Sequence, residues 1–141
     1  MDDYDNLGTL YADIAASKLK AGDNTGATDA FKKADNVFAK MIEEFPNYKN
    51  YGNYMRAQVN ANLDPDSKKG LALPFYDELA SSLESKAEKA ASETQMLKQA
   101  YFYLMVYQFN VKKDKAAAKV YANKLLQIDP DNEAAKQVQK L

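Results

Sequence analysis

The stretch QAYFYLMVYQFNVKKDKAAAKVYANKLLQIDPDN, residues 99–132, decides the fold. Phe102, Met105, Val106 and Phe109 fall at i, i+3, i+4 and i+7, the spacing that puts apolar groups on one face of a helix. Lys112, Lys113 and Asp114 interrupt the pattern. Ala118, Tyr121, Leu125 and Ile128 then resume it until Asp129 and Pro130 stop the helix. Two amphipathic helices joined by a short polar turn form an αα-hairpin. One hairpin cannot bury its own apolar face, so the rest of the chain must supply neighbours that stack on it.

Working outward, the same grammar recurs. Tyr4, Leu7, Gly8, Tyr11, Ile14, Ala15 and Leu19 share a helical face and predict helix 1 over about residues 3–21. In the turn after it, Gly22 supplies positive φ, and Asp23, Asn24 or Thr25 supplies a cap for helix 2. Helix 2 carries Phe31, Ala34, Phe38, Met41, Ile42 and Phe45 and ends at Pro46. Tyr48, Tyr51, Met55 and Val59 predict helix 3 over about residues 48–63, stopped by Asp64 and Pro65, with Ser67 placed to cap helix 4. Leu71, Ala72, Phe75, Tyr76, Leu79 and Leu83 predict helix 4 over about 69–88, started near Gly70 or bent at Pro74. From Phe75 to Asp129 there is neither Gly nor Pro, so the next boundary must come from caps. Ser92, Glu93, Thr94 and Gln95 have the form of a capping box, predicting helix 5 over about 93–111 and leaving residues 84–91 as helix extension or loop. Helix 6 spans about 115–128. Beyond Pro130, Asp131 or Asn132 caps a last helix with Ala134, Ala135, Val138 and Leu141 on one side.

Tyr4-x2-Leu7-Gly8-x2-Tyr11, Ala34-x3-Phe38 and Pro46 resemble the tetratricopeptide repeat (TPR) signature, W-x2-L-G-x2-Y, A-x3-F and P, with Tyr in place of Trp. Between Tyr11 and Ala34 there are about 14 residues too many for that unit, and the Gly22 turn splits the excess into two equal parts of about two helical turns each. Equal lengthening of both arms keeps their faces in register, so this is an extended hairpin. Ala72-x3-Tyr76 resembles A-x3-F in a second unit, in which Asn53, Arg56 and Asn60 depart from the consensus and Glu84 stands in place of Pro. In the third unit the Phe102-to-Pro130 spacing matches, with Val106 replacing Gly and Ala122 replacing the aromatic residue. The resemblance implies an all-α chain: a right-handed superhelix of about three antiparallel helix hairpins with a C-terminal solvating helix. As a single TPR-like domain over residues 1–141, it would comprise hairpin 1 (3–46, extended), hairpin 2 (48–88), hairpin 3 (93–129) and a capping helix (131–141).

Composition narrows the function classes. The 19 basic and 20 acidic residues are interspersed and sum to −1, which leaves no basic stripe for nucleic acid. Without Cys there are no disulfides or thiolate metal sites, and redox compartment is unreadable. No apolar run approaches the roughly 20 residues of a membrane span, and MDDYDN is acidic where a signal peptide is basic. The expectation is no membrane insertion and a cytoplasmic location as the chain stands, or a periplasmic or envelope location if it is a fragment of an exported protein.

Chemistry is sparse. His, the commonest general base, is absent, which argues against a nucleophilic triad, and the expectation is no enzyme and no cofactor. The serines fit caps or solvent-facing positions, and Asp2-Asp3 and Glu43-Glu44 fall on expected exposed faces. Asp64-x-Asp66 opens like a calcium loop, but Lys68 and Lys69 occupy the next ligand and glycine positions, so these acids suit a turn and no metal is expected. Gly22 and Gly26 are not followed by the Lys-Ser of a phosphate loop. Arg56, the single arginine, falls where the pattern expects Leu; if buried it needs a partner, which predicts an ion pair with a carboxylate of a neighbouring helix, the alternative being a ligand contact.

What remains is surface. The resemblance implies a concave groove lined by the first helix of each hairpin, which by repeat position marks Tyr51, Tyr54, Gln58, Ala61 and Asn62, and Ala100, Tyr103, Tyr107, Asn110 and Val111. Asp5, Thr9, Ala12 and Asp13 match in the first unit. The ligand-groove set is thus Tyr51, Tyr54, Gln58, Asn62, Tyr103, Tyr107 and Asn110, where Tyr offers contact area and Asn hydrogen bonds to a peptide backbone. The alternative for each tyrosine is packing between helices. No Lys stands at these positions, so the face suits backbone and apolar recognition over a peptide carboxylate. The leading expectation is a non-catalytic module that binds a protein or peptide partner. The alternatives are a structural spacer or self-association region of a larger, envelope-type assembly, with a possible homodimer, and a binder of a small molecule or glycan.

Overall fold

The computed structural model describes all residues, 1–141, and is all-helical. Seven α-helices succeed one another: α1 (Asp2–Lys20), α2 (Asn24–Glu44), α3 (Lys49–Leu63), α4 (Leu73–Glu84), α5 (Ala91–Asn110), α6 (Lys115–Ile128) and α7 (Glu133–Gln139). A single 3-10 turn, Pro46–Tyr48, leads into α3. None of the helices is long and apolar enough to cross a membrane. Two compact units divide the chain, residues 1–75 and 76–141, with the boundary inside α4.

In the first unit α1 and α2 form the extended hairpin. They run 19 and 21 residues against 15 in α3, and α1 is unbroken between Tyr11 and Leu19. Gly22 turns the chain at φ +81, a conformation that strains an L side chain, and Asp23 caps α2 by accepting the Gly26 N–H at 2.9 Å. The core of the unit is a row along α2, with Phe31, Ala34, Phe38 and Met41 buried against Ala15 of α1 and Val59 of α3. Gly8 lets α1 approach α2, because a Cβ there would lie 2.5–2.9 Å from the Phe38 ring. On α1 the buried face is narrower than the sequence pattern predicts. Tyr4, Tyr11 and Ala12 pack against the core, whereas Leu7, Ile14 and Leu19 lie on the exposed side.

Arg56 behaves as the sequence predicts. Its Nε and Nη2 donate to the two carboxylate oxygens of Asp35 on α2 at 2.8 and 3.0 Å, a bidentate pair, and Asn60 Nδ2 donates to the same carboxylate at 2.9 Å. Stacking completes the arrangement: Arg56 Cζ sits 4.4 Å from the centre of the Phe75 ring. The consensus departures at residues 56 and 60 are therefore a polar clamp between α2 and α3.

After α3, the buried Asp64 carboxylate accepts the Lys69 and Leu71 N–H groups at 3.2 and 3.3 Å and so holds the turn together. Asp66 accepts the Lys68 N–H at 3.2 Å. These are the turn roles expected of the two acids. Ser67 is not the cap of α4; it adopts φ +58 within the turn. Helix α4 is shorter than predicted: it begins at Leu73, which places Pro74 in the first turn, where no helix hydrogen bond is lost.

In the second unit, residues 85–90 are not helical, which resolves that segment as a loop. Helix α5 starts two residues before the predicted position. Its N-cap is Ala90, and the Glu93 carboxylate reaches back to accept the Ala90 N–H at 3.0 Å, so the acid supplies the cap that Ala90 cannot. Asp114 caps α6 through the Ala117 N–H at 2.9 Å, and Asn132 caps α7 through the Ala135 N–H at 3.0 Å.

The main correction concerns α5. Of the face read from residues 102, 105, 106 and 109, only Met105 is fully buried, Val106 and Phe109 being half-buried. Leu97, Ala100, Tyr101, Leu104 and Met105 are buried, a row turned round the helix, while Phe102 is 44% exposed. Helix α5 is apolar on more than one side, and periodicity cannot rank two apolar faces.

Candidate functional site

The face of α5 that does not pack is where a site can form. Phe102, Tyr103 and Val106 on α5, Tyr76 on α4 and Leu125 on α6 line a cleft of about 420 Å³, all within the second unit. Its size falls in the range of pockets that hold small ligands or the side chains of a bound peptide. Lys98 and Asp129 stand at the edge.

An aromatic ladder stiffens the wall. The Tyr76 and Tyr103 rings lie 4.7 Å apart, and Tyr103 stacks on Tyr107 at 6.1 Å with planes 16° apart. Only 7% of Tyr107 is exposed, so it backs Tyr103 from the core. On the opposite rim, Asn132 is held by its α7 cap and donates to Asp129 at 3.1 Å. Backbone caps and packed rings thus fix both sides before any ligand arrives, which lowers the ordering cost of binding. The chemistry offered is apolar and aromatic contact with a polar edge, since the chain has neither Cys nor His to supply a nucleophile–base pair or soft metal ligands.

A second cluster lies elsewhere in this unit. Glu84 Oε1 accepts from Tyr101 at 2.7 Å and from Lys124 at 2.9 Å, and the Lys124 ammonium sits 5.8 and 5.7 Å from the Tyr101 and Tyr121 ring centres. Burial works against ionisation of Glu84, but hydrogen bonds from Lys124 and Tyr101 outweigh it and hold the carboxyl below its ordinary value. Burial, and then the bond to Glu84, pushes the Tyr101 phenol far up. These bonds tie α4, α5 and α6 to one another.

The residues marked by repeat position separate between the two units. In the first unit, Tyr51 is half-buried and donates its hydroxyl to Asp5 at 2.7 Å, linking α3 to α1; burial and that bond push its phenol far up. Tyr54 and Gln58 are half-buried and Asn62 is exposed, its amide donating to the Gln58 carbonyl at 2.9 Å. In the second unit, Tyr103 lines the cleft, Asn110 is exposed at the end of α5, and Tyr107 is buried behind Tyr103. Tyr107 therefore does not present its ring at the surface. Sequence reasoning assigned Phe102 and Val106 to the core and so missed them as lining residues. The available signal was the run AYFYLMVY at residues 100–107, which carries more apolar side chains than one helix face can bury.

No family model and no curated protein matches the chain. Among solved structures, it is similar to the C-terminal part of a TPR repeat-containing protein from Cytophaga hutchinsonii, with a TM-score of 0.72 and 28% sequence identity. The match covers 95% of this chain and 47% of that one, so the chain spans about half the length of the structure it resembles. The repeat signature read from Tyr4 to Pro46, the all-helical architecture and this structural match agree: the chain has the TPR-like helical-hairpin fold.

Proposed function

We propose that the chain is a non-catalytic interaction module whose α5 cleft receives an apolar or aromatic side chain from a segment of a protein partner. The observation that carries this reading is the exposure of Phe102, 44% in a ring that stands at a preformed concave site. Phe102 adjoins Tyr103 and Val106 in the lining, and a contiguous exposed apolar patch of this kind marks an interaction site. The TPR-like fold supports the same class of function, because such folds generally hold partner segments. Groove residues named from repeat position contribute unequally. Tyr103 forms the cleft wall and Tyr107 supports it from behind, whereas Tyr51, Tyr54, Gln58, Asn62 and Asn110 are not among its lining residues. Recognition rests on apolar contact, with Lys98 and Asp129 as edge charges of opposite sign, so binding depends weakly on salt.

The test is selection of random peptides displayed on phage against the intact chain, and then rebinding to a Phe102→Ser variant. Enriched peptides should share an apolar or aromatic position and lose about tenfold or more of their affinity on the variant, about 1.4 kcal/mol. Peptides that bind both chains equally would reject the cleft.

A further inference from the structure

The outer face of α1 carries a feature that the cleft does not explain. Leu7, Leu10 and Ile14 are 42%, 53% and 37% exposed and share one flank of α1, beside the face that buries Gly8 and Ala15. They succeed one another by three and four residues, and Asp3 and Ser17 continue the row at either end with the same alternation. That 3.5-residue period is the seam one helix presents to another. The charges are sorted along the helix axis. Asp2, Asp3 and Asp5 occupy the first turn, and Lys18 and Lys20 the last.

We propose that this seam is a homodimer interface in which α1 packs antiparallel against α1 of a second copy about a two-fold axis near Leu10. With the axis between residues 10 and 11, Leu7 faces Ile14 of the second copy, Leu10 lies next to its own equivalent across the axis, and Asp3 lies against Lys18 of the second copy. Parallel packing would oppose Asp to Asp and Lys to Lys, so the charge order selects the antiparallel arrangement. A two-fold pairing needs a self-complementary patch, and a row with Leu7 and Ile14 placed evenly about its centre is one. Lys18 already bridges Asp23 at 3.2 Å with both groups half-exposed, so it can serve both acids without being desolvated. The proposal concerns the first unit alone and stands whether or not the α5 cleft binds a peptide.

Because the chain has no cysteine, introduced thiols report the register directly. Sedimentation velocity over a wide concentration range should show the 15.8 kDa chain moving to twice that mass, and Leu10→Glu should hold it at the monomer mass with an unchanged helical circular-dichroism spectrum. In mixtures under mild oxidation, Asp3→Cys chains should cross-link to Lys18→Cys chains in preference to one another. A chain that stays monomeric at every concentration would overturn the proposal and leave the seam to a different polypeptide. So would a dimer that survives Leu10→Glu, or Asp3→Cys chains that cross-link mainly among themselves.

Discussion

Phe38 is fully buried at the centre of the first unit, and its ring is what Gly8 accommodates. Truncating it removes both the transfer energy of the ring and its packing against α1. Phe38→Ala should therefore cost about 3–5 kcal/mol in chemical denaturation, and a midpoint that hardly moves would show that the core lies elsewhere. Asn53 presents the opposite case. It is 3% exposed, and its amide nitrogen has no hydrogen-bond partner. An unsatisfied buried donor costs about 1–3 kcal/mol. Asn53→Leu should raise the thermal midpoint, and a lowered midpoint would mean that the amide contributes more to packing than its missing bond costs. Residues such as Phe38 were legible in the sequence because A-x3-F fixes them by spacing. The partnership of Arg56 and Asn60 with Asp35 was half legible: burial implied the need for a carboxylate but not which one, because the three residues come from two separate helices.

At the scale of elements, local rules carried most boundaries. The equal excess on both sides of Gly22 anticipates the long α1 and α2, and α6 appears at the predicted residues. Failures occurred where two local solutions compete. Ser92 offered a cap for α5, yet the Glu93 return bond to Ala90 starts the helix earlier. Which face of α5 packs was not legible either, since both are apolar and only neighbours on α4 and α6 decide. Those neighbours are tied by Glu84, and the tie is titratable. Its folded-state carboxyl is held below the ordinary value near 4.5, so the tie contributes stability above that value and loses it as pH falls through the depressed one. Thermal midpoints of the native chain and Glu84→Gln should thus differ at neutral pH and converge in acid. A gap that stays constant down to strongly acidic pH would remove the ion pair as its cause.

For the molecule as a whole, the fold was legible from repeated hairpins, whereas the cleft was not. It is made of the residues that packing leaves over, and a sequence does not mark what is left over. Phe102 and Val106 have the spacing of a core face and become lining because Leu97, Tyr101, Leu104 and Met105 take the interior. The reading as an interaction module depends on that outcome. Its most direct test is an NMR titration of the isotopically labelled chain with a peptide selected against it. Shifts should concentrate on Phe102, Tyr103, Val106 and Leu125 and be lost with Phe102→Ser; shifts that bypass these four residues and persist in the variant would overturn the cleft as the binding site.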